Sequence, residues 1–310
     1  MQPFSVALAQ QVCYNTLEVI KLKEYAALII DLKNSRRYSL EYRYDIQYYI
    51  RDVIEALNYV FRNSLERKVD FSAGDEVQGL FSSVEASYLY FRLFSMLVSP
   101  IEIRAGIGIG EWNIIVENAG TTAQDGYAYH NARYAIEATE DSLGYSILLF
   151  SDRYNDIIVN SLLNSTALII NKQSRYQNEM MLLSELLYPI NAYDIIDTTK
   201  LEIIVNLMHS RNSITGRDRY HYVNYKNRPL FDRIDFFDIN NFCHPIDAIY
   251  DSGSFFVVEG KIRGLSSQLA ELIGVSRQSV EKTIKAANIY EARNLAVTTL
   301  KYLSSLGEFR

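Results

Sequence analysis

Ala26-Ala27-Leu28-Ile29-Ile30-Asp31 is an apolar run that ends on an acid, and the polar loop Leu32-Lys33-Asn34-Ser35-Arg36 follows it. A short aliphatic run closed by a polar loop reads as a strand. Further on, Val69-Asp70-Phe71-Ser72-Ala73-Gly74-Asp75-Glu76-Val77-Gln78-Gly79-Leu80-Phe81 has Gly74-Asp75 at its centre. Strand-like runs on both sides of that pair are what a hairpin requires. If the hairpin pairs beside the first strand, Asp31 and Asp75 meet at one edge of one sheet. Carboxylates held that close repel each other unless a divalent cation sits between them.

Working outward, Ile46, Ile50, Val53, Ile54, Leu57, Val60 and Phe61 recur at helical intervals between Ser39 and Leu65. That spacing predicts a long amphipathic helix packed on the sheet. A second helix is expected from about Ser83 to Val98, stopped before Pro100. Ile101-Glu102-Ile103-Arg104-Ala105-Gly106-Ile107-Gly108-Ile109-Gly110-Glu111 reads as the next strand, and its alternating glycines imply close approach by a neighbouring backbone or a ligand. Residues 113–127 look like a loop, Ala128 to Ala138 a helix, and Tyr145 to Phe150 a strand. Ser151 and Asp152 are expected to cap a helix through Leu163. The order βαββαβ, with an added αβ, predicts an α+β fold of ferredoxin-like or palm type.

The chain has 310 residues, 48% of them hydrophobic and 22% charged, which suits a globular protein of roughly two domains. Its apolar runs are far shorter than a membrane span, and Met1-Gln2-Pro3-Phe4 lacks a basic stretch before an apolar one, so no secretory signal is expected. Cys13 and Cys243 show no CxxC spacing, so a cytoplasmic protein with free thiols is expected. Cys243-His244, with His221 upstream, lacks the second cysteine pair of a zinc finger. Residues 261–310 carry eight basic and four acidic side chains, a basic end on a chain whose net charge is −6. Such an end is what a DNA-binding appendage would look like.

The stretches Ile30 to Arg36, Gly74 to Gly79 and Arg104 to Gly110, followed by Asp125-Gly126-Tyr127-Ala128-Tyr129-His130-Asn131-Ala132-Arg133, together resemble the SatD family. More distantly, their layout over about residues 25–150 is similar to the catalytic domain of class III nucleotide cyclases. What that resemblance implies is a metal site. In cyclases, an acid at the end of the first strand and one in the hairpin hold two magnesium ions that bind a nucleoside triphosphate. The matching positions here are Asp31 and Asp75. Mg²⁺ or Mn²⁺ and a triphosphate of unnamed base are therefore the expected cofactors, with Ser35, Arg36 and Glu76 as neighbouring nucleotide contacts. Arg133 falls where cyclases place an arginine that neutralises transition-state charge, usually across a dimer interface. The ribose-orienting asparagine of cyclases corresponds to Tyr129, and their base-selecting lysine to Phe71.

Leu265-Ser266-Ser267-Gln268-Leu269-Ala270-Glu271-Leu272-Ile273-Gly274-Val275-Ser276-Arg277-Gln278-Ser279-Val280 looks like a helix-turn-helix. Ala270 lets two helices approach, Gly274 turns the chain, and Ser276 caps the second helix, whose inner face is Val280 and Ile284. Arg277, Gln278 and Ser279 would then face base edges, and Lys282 and Lys285 phosphates. SatD-like proteins are similar in carrying such a C-terminal segment.

These expectations divide the chain into an N-terminal helical segment (1–24), a cyclase-like palm (25–152), a helical and mixed connection (153–258) and a helix-turn-helix (259–310). The function they predict is a cytoplasmic homodimeric regulator, with no membrane partner, in which a metal- and nucleotide-binding domain controls a DNA-binding segment. The alternatives are an active metal-dependent nucleotidyl cyclase or nucleotidyltransferase, or a degenerate palm serving only as a dimerisation scaffold.

Overall fold

Why β1 (Tyr25–Leu32) is apolar on alternate and intervening positions alike follows from its place in the sheet. A computed structural model describes residues 23–33, 39–142, 144–153, 155–215, 234, 243–251 and 253–308. In it β1 is the central strand of a sheet ordered β2-β3-β1-β4-β5, where β2 is Leu65–Ala73, β3 Glu76–Phe81, β4 Ile103–Gly110 and β5 Ile147–Phe150. Both faces of such a strand are covered, so both must be apolar. Ala26, Leu28 and Ile30 pack under α1 (Leu40–Val60) and α2 (Val84–Val98), while Ala27 and Ile29 pack under α3 (Tyr127–Asp141).

The strands are antiparallel except that β5 runs parallel to β4, which makes the sheet mixed and the chain α+β. The hairpin pairs beside β1 with Asp31 opposite Glu76. On the other side Asp31 lies opposite Arg104. Among the described residues no helix is long and apolar enough to cross a membrane.

Ser83 caps α2 by accepting a hydrogen bond from the Ala86 amide at 3.2 Å. The glycines of β4 are explained by α3. A β-carbon on Gly106 or Gly108 would collide with the helix backbone at Ala128, Ala132 and Ile136. The helix presents alanines to the strand in turn, with Ala128 and Ala132 fully buried. Of the alternatives the glycine pattern left open, a neighbouring backbone is the one realised.

Several boundaries differ from the sequence expectation. The first helix ends at Val60, not Leu65, because Leu65 already pairs with Phe81 in the hairpin. The helix expected from Ser151 to Leu163 is α4 (Asp156–Asn171). Asp152 sits at a left-handed φ of 59°, which turns the chain before the helix begins. Ser151 donates its amide and hydroxyl to the Asp156 carboxylate instead of capping. Then come α5 (Arg175–Leu187), opened by a Ser174–Gln177 capping box, and α6 (Glu202–Thr215). The parallel pair β6 (Ile190–Asn191) and β7 (Ile246–Asp247) lies apart from the main sheet. Of the N-terminal helical segment expected over 1–24, residues 1–22 lie outside the described residues, as does most of the mixed segment 211–258 with His221.

The last helices are α7 (Leu265–Ile273), α8 (Arg277–Ala286) and α9 (Ile289–Glu308). Between α7 and α8, Gly274 takes a φ of 67° and Ser276 accepts from the Ser279 amide. Val280 and Ile284 are buried in the same core as α1 and α2. A buried ion triad ties α9 to the rest. Glu185 on α5 accepts from Arg92 of α2 at 2.8 Å and from Arg293 of α9 at 2.5 Å, with all three side chains at most 3% exposed. Arg293 also donates to the carbonyls of Ser184, Tyr188 and Gly260. Burial pushes the Glu185 carboxyl up, but the two guanidiniums outweigh it and hold it below the ordinary range.

Candidate functional site

Strand alternation puts Asp31 on the same face of β1 as Ala27 and Ile29, at the end where α3 crosses the sheet. Its cross-strand neighbours Glu76 and Arg104 share that face. Two side chains hang from α3 above them, Arg133 and Glu140. Arg104 donates through both Nε and Nη2 to a single oxygen of Asp31, Oδ2, at 2.7 Å each, and its Nη1 pairs with Glu140. Arg133 grips Glu76 with one nitrogen on each carboxylate oxygen, at 2.5 and 2.7 Å. The Ser72 hydroxyl donates to the same Glu76 at 2.6 Å. Fork-to-carboxylate pairs of this kind fix geometry as well as charge.

Asp75 occupies the hairpin turn, between Gly74 (φ 64°) and the residue that faces Asp31. The two aspartates thus reach one rim. Burial pushes the Asp31 carboxyl above its ordinary value, Arg104 opposes this, and the nearby charges of Asp75 and Glu76 add to the upward push. Glu76 goes the other way. Its burial is outweighed by Arg133 and Ser72, and it is held below the ordinary range.

Among the described residues, Asp31 Oδ1 and the Asp75 carboxylate take part in no hydrogen bond or ion pair, while Glu76 is fully engaged. Uncommitted carboxylate oxygens on Asp31 and on Asp75, the chain neighbour of its cross-strand partner, are the donor type that Mg²⁺ and Mn²⁺ take, with phosphate oxygens and water completing the shell. The donor set therefore fits the expected metal. Ser35 and Arg36 lie outside the described residues.

The fold brings Asp31, Asp75, Glu76 and Arg133, all expected from the sequence, to one corner. Arg104 and Glu140 join them without having been expected there. Arg104 heads a quoted motif, but its partnership with Asp31 depends on the β1–β4 register, which no local pattern encodes. Tyr129, which stands where cyclases have a ribose-orienting asparagine, is turned inward. It is 7% exposed, and its hydroxyl lies 3.4 Å from Thr121 Oγ1. Burial raises that hydroxyl above the usual tyrosine value.

At the other end of the chain, Arg277, Gln278, Ser279, Lys282 and Lys285 are all exposed on α8. Arg277 pairs with Glu281 one turn on, at 2.9 Å.

Among curated proteins, none matches this chain significantly. The family model described as the SatD family matches residues 25–235, which takes in the sheet, its helices and the segment beyond residue 152, and ends before α7. With more than half its length matched, and with Asp31, Asp75 and Arg133 inside the matched region, the chain belongs to the SatD family.

Proposed function

We propose that this SatD-family protein is a regulator in which a metal- and nucleotide-binding rim controls a DNA-binding helix-turn-helix. The observation that carries the reading is the set of three uncommitted oxygens, Asp31 Oδ1 and both of the Asp75 carboxylate, at one rim beside side chains that are otherwise ion-paired. The βαββαβ order with β1 between β3 and β4 supports a ferredoxin-like, palm-type domain related to class III cyclases. Asp31 and Asp75 would hold Mg²⁺ or Mn²⁺, which offsets the charge of a bound triphosphate. Arg133 stands ready to contact the anion once released from Glu76.

Binding without turnover fits better than cyclase activity. Tyr129 is packed into the sheet face and offers the ribose no contact from that position. On α8, the exposed Arg277, Gln278 and Ser279 suit base edges, and Lys282 and Lys285 suit phosphates. A homodimer would place two such helices on half-sites about 34 Å apart.

The test combines both ends. Mn²⁺ with a non-hydrolysable nucleoside triphosphate is expected to raise the melting temperature of wild type and leave Asp75→Ala unmoved. Binding to genomic DNA fragments is expected to weaken with salt, and Lys282→Ala to lower the salt slope by about one. Arg277→Ala should cost roughly 1–3 kcal/mol and relax sequence preference. No thermal shift with any nucleotide would reduce the rim to a scaffold. A cyclic or oligomeric product from incubation with NTPs, abolished by Asp75→Ala, would make the protein an enzyme instead.

A further inference from the structure

Arg104 is in an unusual place for a residue beside a cation site. Strand pairing sets its backbone directly across from Asp31, so neither end can drift away. Its Nε and Nη2 converge on one oxygen of Asp31, leaving Oδ1 open. Its remaining terminal nitrogen is held by Glu140, which projects from the last turn of α3. The guanidinium therefore bridges a carboxylate at the rim and a second carboxylate away from it.

A guanidinium and a divalent cation compete for the same negative charge, and each repels the other at short range. The corner holds four carboxylates, those of Asp31, Asp75, Glu76 and Glu140, against the two guanidiniums of Arg104 and Arg133. The rim thus has room for more positive charge, but not on the oxygen Arg104 already covers.

Resting on the metal-binding reading above, we propose that Arg104 is a built-in counter-ion that competes with the divalent cation for Asp31, and that Glu140 retains the guanidinium when the metal takes its place. The exchange moves only side chains. Arg104 turns from a shared position to one held by Glu140, and Asp31 offers both oxygens to the cation. Metal affinity is then set by the balance between Asp31 and Glu140 for one arginine, and Asp31 keeps a counter-ion when no metal is bound.

The measurement is Mn²⁺ affinity of the full chain without nucleotide, from the free-ion electron paramagnetic resonance signal, with circular dichroism melts to verify folding. Arg104→Gln is expected to bind Mn²⁺ about tenfold tighter than wild type, equivalent to ~1.4 kcal/mol. Arg104→Lys keeps the charge and should stay near wild type. Glu140→Gln should bind more weakly, because the guanidinium loses its second seat and leans on Asp31 alone. A gain of affinity is the opposite of what damage to the site would produce. If Asp75→Asn weakens Mn²⁺ binding while Arg104→Gln leaves it unchanged or weaker, the competition is overturned and the metal site stands. If neither wild type nor Arg104→Gln binds Mn²⁺, the metal-binding reading and this inference fall together.

Discussion

Asp31 and Glu76 face each other across paired strands, and the same corner shifts their protons in opposite directions. Asp31 is raised from 3.8, first by burial and then by its acidic neighbours. A raised carboxyl lends the native state stability that is full below the unfolded value and is lost as pH rises through the folded one. Glu76 is lowered from 4.5 because Arg133 and Ser72 outweigh its burial. Its contribution is present above the unfolded value and is lost as pH falls through the folded one. Asp31→Asn is therefore expected to gain on wild type as pH climbs above 3.8. Glu76→Gln should lose most near neutrality and least in acid. Urea melts stepped between about pH 3 and pH 7 read both trends, and parallel profiles for the two variants would refute the opposed environments.

Elements were legible where one local pattern sufficed. The β1 run, the helix capped by Ser83 and the turn at Gly274 with its Ser276 cap are each written in a few consecutive residues. The start of α4 was not, because Asp152 turns the chain with a left-handed backbone and Asp156 captures Ser151, a tertiary outcome. Arg104 and Glu140 were missed for the same kind of reason. Their roles come from register and from how α3 lies on the sheet, not from spacing. The glycines of β4 announced a close neighbour without naming it. That neighbour gives a sharp expectation at this scale. Gly108→Ala would push a β-carbon into the Ala132 amide and the Ala128 carbonyl, which cannot yield as a side-chain tip can. It should destabilise by about 2–3 kcal/mol or more, measured by urea unfolding. Gly144→Ala meets no neighbouring atom, so its cost should arise from its positive φ alone and be smaller.

For the molecule as a whole, the Arg92–Glu185–Arg293 triad joins a helix under the sheet, a helix of the connecting segment and the final long helix. Breaking a buried pair by deleting one partner strands the remaining charge, at a cost of roughly 3–5 kcal/mol. Glu185→Ala leaves two buried guanidiniums uncompensated and should approach the upper end of that range. The sheet and the last helices share one core as well. A single unfolding transition is expected by circular dichroism and by Trp112 fluorescence, and Glu185→Ala should lower it without splitting it. Two separate transitions in wild type would show that the tail folds on its own. The bare track of β4 has a mechanical consequence too. A helix seated on bare glycines through little more than alanines has no long side chains there to serve as bearings, so it cannot roll without driving its backbone into the strand. Whatever reaches the rim meets long arms swinging from a fixed shoulder.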